Sequence, residues 1–237
     1  MNRNLEIALT RASELFSDLE KEYESSLQAQ SVSARAEQLT HEVAERLRSA
    51  LDRTARCYWD QKVAASLSKN DRERANIYFP IADDQNSFDS IMGRWRWANV
   101  KATHQPVIDF LQARQPFVNS ANKWLATLND LAIAGKHIDL VPQIKSVERR
   151  TTVTNQSGAS VSWGSGVRFG SGVSVAGAPI DPTTQRIVPT PGVTETVTDW
   201  VSFMIGVHNV NALGFCKQAV ADTRKTIEAM CGDFGLS

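Results

Sequence analysis

Apolar side chains recur along the start of the chain at alternating steps of three and four. Leu5, Leu9, Ala12, Phe16, Leu19 and Tyr23 therefore fall on one stripe of a helix. The polar stretch "QAQSVS" interrupts the rhythm, which resumes with Leu39, Val43, Leu47 and Ala50 and runs on toward Tyr58. Arg46, Arg48, Arg53 and Arg56 alternate with Glu42, Glu45 and Asp52 around this second stripe, as on a helix with a solvated face. Two long stripes joined by a short polar break predict an antiparallel helical hairpin, because each apolar stripe needs a partner.

Beyond the hairpin the polar run "SKNDRERAN" predicts a break in helicity. "IYFPI" then reads as extended, since Pro80 pushes Phe79 out of the helical region. Ser87 is expected to cap a third helix through Phe88, Ile91, Met92 and Trp95. Pro106 and Pro116 suit the first turns of a fourth and a fifth. The fifth is the clearest: Phe117, Ala121, Trp124, Leu128 and Leu131 share a face that Val118, Leu125 and Ala132 widen, and the pattern runs into Gly135.

After Gly135 the period changes from 3.6 toward two. "SVERRTTVT" alternates Val147, Arg149, Thr151 and Val153 among β-branched residues that favour a pleated surface. In "WGSGVRFGSGVSVAG" the step Gly-Ser-Gly-Val occurs twice, from Gly164 and from Gly170. Two copies cannot stack into a solenoid, so tight hairpins are expected. "APIDPTTQRIVPTPG" carries four prolines that cannot donate to a ladder and is expected to be a turn-rich connector. The best strand follows, with Val193, Val197, Val201, Phe203 and Ile205 on one face and Thr194, Thr196, Thr198 and Trp200 on the other. Asn209 or Asn211 then opens a last helix, whose stripe of Leu213, Cys216, Val220, Thr223, Ile227 and Met230 ends before Gly232. That stripe is narrow and spaced like those of the first and fifth helices, so the helix is expected to return to them. The fold class is α+β: an antiparallel helical bundle over residues 1–137, an inserted antiparallel β module over 138–208, and a C-terminal helix over 209–237 packed on the bundle.

A chain of 237 residues can bury a core without a staple, and its 26 basic and 26 acidic side chains create no global field toward nucleic acid or an anionic membrane. Any nucleic-acid contact must then be local. Three cysteines, Cys57, Cys216 and Cys231, form no CxxC pair and read as buried thiols in a reducing compartment. The opening "MNRNLEIALTRASELF" places charged and polar groups inside its apolar rhythm, and no run is long enough to span a bilayer. A cytoplasmic protein without a membrane partner is expected, and its long amphipathic helices leave room for a homo-oligomer.

The chemistry-bearing residues are sparse. Lys136 and His137 follow Gly135 where a helix ends. Cations there complement the negative end of the helix dipole, and only Asp139 lies close enough in sequence to assist them in a reaction. In "RWRWANVK", Arg94, Arg96 and Lys101 flank Trp95 and Trp97. Trp95 continues a core stripe, which leaves Trp97 as the ring that could meet a partner or a base. His41, His104, His137 and His208 are scattered, and neither Asp83-Asp84 nor the cysteines give a ligand spacing, so no metal is expected. The glycines match neither GxxxxGK[ST] nor GxGxxG, and no serine sits in a GxSxG elbow, so no cofactor is expected either.

"GKHIDLVPQ", the Gly-rich segment and "GAPIDPTTQRIVPTPG" together resemble uncharacterised bacterial proteins that join a helical bundle to a β module, over about the second half of the chain. That resemblance implies architecture and carries no established activity. "RAEQLTH" resembles the arginine and histidine motif of the HEPN-like helical ribonucleases and RNA-binding proteins of bacterial defence and toxin systems. It would give Arg35 the role of stabilising phosphorane-like charge and His41 that of proton transfer at a 2′-hydroxyl or leaving oxygen. Ala36 departs from the polar residue usual in that family, and six residues set the pair about 240° apart on an ideal helix. The function expected first is a non-enzymatic interaction or regulatory protein, in the setting of a bacterial stress or defence system, whose β module offers Trp163 or Trp200 to an unidentified protein partner, by strand addition for example. The alternative is a HEPN-like ribonuclease or RNA-binding protein using Arg35 and His41.

Overall fold

The computed structural model describes residues 3–29, 31–134, 143–164, 166–206 and 208–236. It is α+β and divides into two compact units. One joins Met1–Ile144 to Met204–Ser237, and the other is Lys145–Phe203, inserted between them.

The helical unit is built on α1 (Arg3–Ala29) and α2 (Ala34–Tyr58). Leu5, Leu9, Ala12, Leu19 and Tyr23 are buried along α1 as their spacing predicts. Leu15 is 2 % exposed and takes the place expected for Phe16, which is only half-buried. Ser33 starts α2 by accepting the N–H of Ala36 at 3.0 Å, and its hydroxyl donates to Glu22 at 2.6 Å, which ties the hairpin turn to α1. The chain leaves α2 through a π-helical turn, Trp59–Val63, in which the indole of buried Trp59 donates to the carbonyl of Trp95 at 2.7 Å.

The polar run after it does not break the helix pattern outright. Ser68 accepts the N–H of Asp71 and caps a short α3 (Lys69–Arg74), which buries no side chain and is held by its cap and charges. The extended segment around Pro80 is present. Asp52 accepts the N–H of Phe79 at 2.9 Å, while the Gln115 carboxamide accepts from Ala82 N at 3.0 Å and donates to Pro80 O at 3.0 Å. Asp84, rather than Ser87, caps α4 (Gln85–Gly93), accepting the N–H of Ser87 at 2.7 Å. Pro106 stands in the first turn of α5 (Gln105–Gln112).

The fifth predicted helix is shorter than expected: Pro116 lies in a turn, Asn119 caps a single 3₁₀ turn (Ser120–Asn122), and α6 begins at Trp124 and ends at Ala134. The last helix, α7 (Ala212–Phe234), is capped by Asn211, not Asn209, through Gly214 N–H at 2.7 Å. It ends at Gly235 (φ 58°, ψ 49°) rather than before Gly232. Phe215, Cys216, Ala219, Thr223, Ile227 and Met230 are buried where α7 packs on α1, α2 and α6, so the C-terminal helix does return to the N-terminal ones. Among the described residues no helix is long and apolar enough to cross a membrane.

In the inserted unit β1 (Gln143–Asn155) pairs antiparallel with β2 (Ser160–Gly164), Thr151 facing Trp163 and Val153 facing Val161. Asn155 closes the hairpin, its Oδ1 accepting the N–H groups of Ser157 and Ala159, while Gly158 adopts φ 81°. β6 (Val193–Ile205) lies beside β1, which leaves β2 as an edge strand. The turn-rich, proline-containing connector also carries strands: β3 (Ser174–Val175), β4 (Ala178–Asp181) and β5 (Arg186–Ile187) form a second small antiparallel sheet. Pro179 is tolerated in it because its carbonyl, not a missing N–H, makes the bond, accepting from Val188 N at 2.8 Å. Val153, Ala178, Ile180 and Phe203 are buried. At the boundary Met204 and Ile205 of β6 pair with β7 (Val210–Asn211) within the helical unit.

Candidate functional site

Arg35 and His41 occupy different faces of α2. Arg35 is exposed in the first turn and pairs with Glu42 at 3.4 Å. His41 is 3 % exposed, and its Nδ1 lies 3.0 Å from the carbonyl oxygen of Leu131 on α6. The helix angle that sets the pair apart in sequence is realised, and the imidazole works as a core polar group linking two helices.

Trp97 is not the exposed ring anticipated: it is 4 % exposed. The reason is a backbone turn rather than a helix position. α4 stops at Gly93, and Arg96 at φ 56° reverses the chain. The Trp97 ring therefore stacks on that of Trp95 at 5.2 Å, and its indole donates to Met92 O at 2.8 Å. Gly135, Lys136, His137 and Asp139 lie outside the described residues, as does the side chain of Trp200.

Among the described candidates, Trp163 is the one that lies in a recess. A cleft of about 460 Å³ opens in the inserted unit around it. Arg149 and Thr151 of β1, Trp163 and Gly164 of β2, and Val197 of β6 form the strand side. Val167 and Arg168 from the loop after β2, and Thr184, Gln185 and Arg186 from the β4–β5 hairpin, close the other. Among the described residues, three arginines and no acid line it.

The loops are fixed by identifiable contacts. Asp181 Oδ1 accepts the N–H groups of Thr183 at 2.8 Å and Thr184 at 3.4 Å, and these donors hold its carboxyl below the usual carboxylate range. Gln185, at φ 60°, ends that turn. Its Oε1 accepts Phe169 N at 2.8 Å, and its Nε2 donates to Phe169 O at 3.0 Å and Pro182 O at 2.6 Å. One side chain in a left-handed conformation thus clamps the Arg168 loop to the Arg186 hairpin, the kind of strained position that accumulates at functional sites.

Phe169 in turn meets the Trp163 ring edge-on, 5.0 Å between centroids. Arg186 is oriented from behind: its Nε donates at 2.9 Å to Glu195, a carboxylate 8 % exposed, while the Arg186 side chain itself is 64 % exposed. Arg168 is exposed and has no ion-pair partner among the described residues.

The helical unit has its own hollow, of about 710 Å³, lined by Trp124, Thr127, His208, Asn211 and Phe215. Its polar groups serve the fold: Asn211 caps α7 and also donates to the Tyr23 hydroxyl at 3.0 Å, and His208 faces Asp130 at 3.6 Å. Burial disfavours the thiolate form of the three cysteines. Cys216 is buried and its pKa is pushed up to about 12, and burial together with Asp60 raises that of half-buried Cys57. Among the described residues no three His, Cys, Asp or Glu side chains gather as a metal-holding group.

Sequence reasoning found Trp163 but not its company. Arg168 and Arg186 each stand alone among turn residues, and only their flanking of an aromatic in a Gly- and Thr-rich segment could have drawn notice. Gln185 gave no local signal, because its role depends on a loop sixteen residues away. Comparison with known proteins returns nothing to set beside this geometry: no family model, no curated protein and no solved structure matches the chain.

Proposed function

We propose that this chain is a non-enzymatic recognition protein whose inserted β unit captures an anionic ligand, or an anionic group of a partner, in the cleft around Trp163. The observation that carries this reading is the composition of the cleft wall: among the described residues it is lined by three arginines and an aromatic ring and by no acid, with Glu195 holding Arg186 from outside the lining. Guanidinium groups are weakly hydrated and present several donors in a fixed fork, so clustered around a recess they favour carboxylate or phosphate oxygens. Among the described lining residues no nucleophile meets a general base and an oriented partner within hydrogen-bond reach. The ribonuclease alternative draws no support from His41, whose imidazole is buried against Leu131 O.

A ligand that binds only the folded state raises the melting temperature in proportion to RT ln(1 + [L]/Kd). Thermal melts of the full chain in rising inorganic phosphate and pyrophosphate should show a saturable stabilisation. Arg168→Glu, a change at an exposed side chain, should abolish that stabilisation while leaving the ligand-free melt unchanged. A wild-type melt indifferent to both anions, or equal stabilisation of the variant, would remove the cleft as the site.

A further inference from the structure

We infer that the cleft takes a nucleoside phosphate, with the base stacked against Trp163 and the phosphate held by Arg149, Arg168 and Arg186. The inference rests on the anion-binding reading above and adds the planar half of the ligand. Its volume of about 460 Å³ lies within the range of small-molecule sites and exceeds what a bare oxyanion fills. A ligand with a body beside its charge would use that space.

The lining supplies the remaining specificity. Trp163 is half-exposed, supported edge-on by Phe169, and flanked by cationic groups on three separate elements. An aromatic face beside guanidinium groups is the combination that binds single-stranded nucleic acid, because each base offers a π-face and each nucleotide a phosphate. Val167 and Val197, 42 % and 37 % exposed, add apolar wall that an inorganic anion would leave unused. Thr151 and Thr184 add polar residues to the lining.

The shared chemistry is therefore base plus phosphate, whether in a free nucleotide or in a strand. The alternation of roles is built into the fold: β2 brings the ring, while the Gln185 clamp and the Glu195 carboxylate position Arg168 and Arg186.

The test uses the full chain and four probes: adenosine 5′-monophosphate, adenosine, inorganic phosphate and a five-residue oligodeoxyadenylate, each titrated calorimetrically. The monophosphate should bind at least tenfold more tightly than adenosine or phosphate. Loss of stacking costs about 1–3 kcal/mol per base, so Trp163→Ala should weaken the monophosphate about 5- to 150-fold and leave phosphate binding unaltered. Trp163→Phe, which keeps a ring face and guards against a folding defect, should retain affinity within about threefold. Arg168→Ala should weaken monophosphate and phosphate alike.

A strand as the natural source predicts that the oligomer binds more tightly than the monophosphate and loses affinity steeply with salt. A free nucleotide predicts equal affinity for both. Monophosphate no tighter than phosphate, with Trp163→Ala without effect, overturns the inference and leaves the anion site standing. No binding of any probe overturns both.

Discussion

Single residues decide more of this structure than their number implies, as Gln115 and His104 show. Gln115 is fully buried, and its carboxamide satisfies Ala82 N, Pro80 O and Leu111 O at 2.8–3.0 Å. Gln115→Met keeps the volume and removes these partners, and each buried group left unsatisfied costs about 1–3 kcal/mol. Urea unfolding should therefore show a loss of about 2–4 kcal/mol; an unchanged midpoint would mean that the segment around Pro80 finds other partners.

His104 is buried beneath Trp97, its Nδ1 2.8 Å from the hydroxyl of Tyr58. Burial lowers its pKa below the ordinary 6.5, and it raises that of Tyr58 to about 12, so both are neutral in the folded state near neutrality. With the folded value depressed, the unfolded chain takes up the proton first as pH falls. The stability that neutral His104 supplies is then complete above about pH 6.5 and declines below it. His104→Gln should flatten this part of the profile between about pH 7 and pH 5, measured by urea midpoints.

At the scale of the element, helices declare themselves and turns do not. Apolar residues at steps of three and four mark which side of α1, α2 and α7 is buried, since a helix presents one stripe to the core whatever it packs on. The ends followed less directly: Asp84 displaced Ser87 as a cap, and Asn119 broke the predicted fifth helix, because several residues within a turn can offer an oxygen to the same backbone donors. The cap at α7 is a sharper case. Asn211→Ala loses both the bond from Gly214 N–H and the donation to Tyr23, and should cost about 1–2 kcal/mol in a thermal melt. Asn211→Asp, which keeps the accepting oxygen, should recover most of it.

The β3–β4 hairpin turns through Ala176 (φ 53°) and Gly177 (φ 86°), two positive φ values that a two-residue loop requires. An alanine there carries Cβ strain. Ala176→Gly should raise stability by about 0.5–1 kcal/mol if the released strain exceeds the added chain entropy, and Ala176→Asn by a similar amount. A lower melting temperature for both would show the turn to be held by neighbours rather than by its own dihedral angles.

On the scale of the whole molecule, a helical unit made from two distant chain segments is interrupted in sequence by an insertion. α2 contacts α1, α6 and α7, so the helices close on themselves through residues on both sides of the β unit. Replacing residues 145–203 by a short Gly/Ser linker should leave a cooperatively melting helical protein that no longer responds to phosphate or nucleotide. Loss of cooperative melting would mean that the helices need the insertion. Leu47, fully buried at the centre of α2, should cost about 2–5 kcal/mol when cut to alanine, the usual range for a core leucine.

The order of helix, strand and helix, the buried side of the long helices and the return of the last helix were legible in the order of residues alone, because periodicity follows from backbone geometry and needs no knowledge of the partner. Trp97, whose exposure the sequence left open, is a stacked core ring, and the cleft around Trp163 was invisible. Arg149, Trp163, Arg168, Arg186 and Val197 come from separate elements and meet only when strands pair and Gln185 clamps two loops, contacts whose geometry no local pattern records.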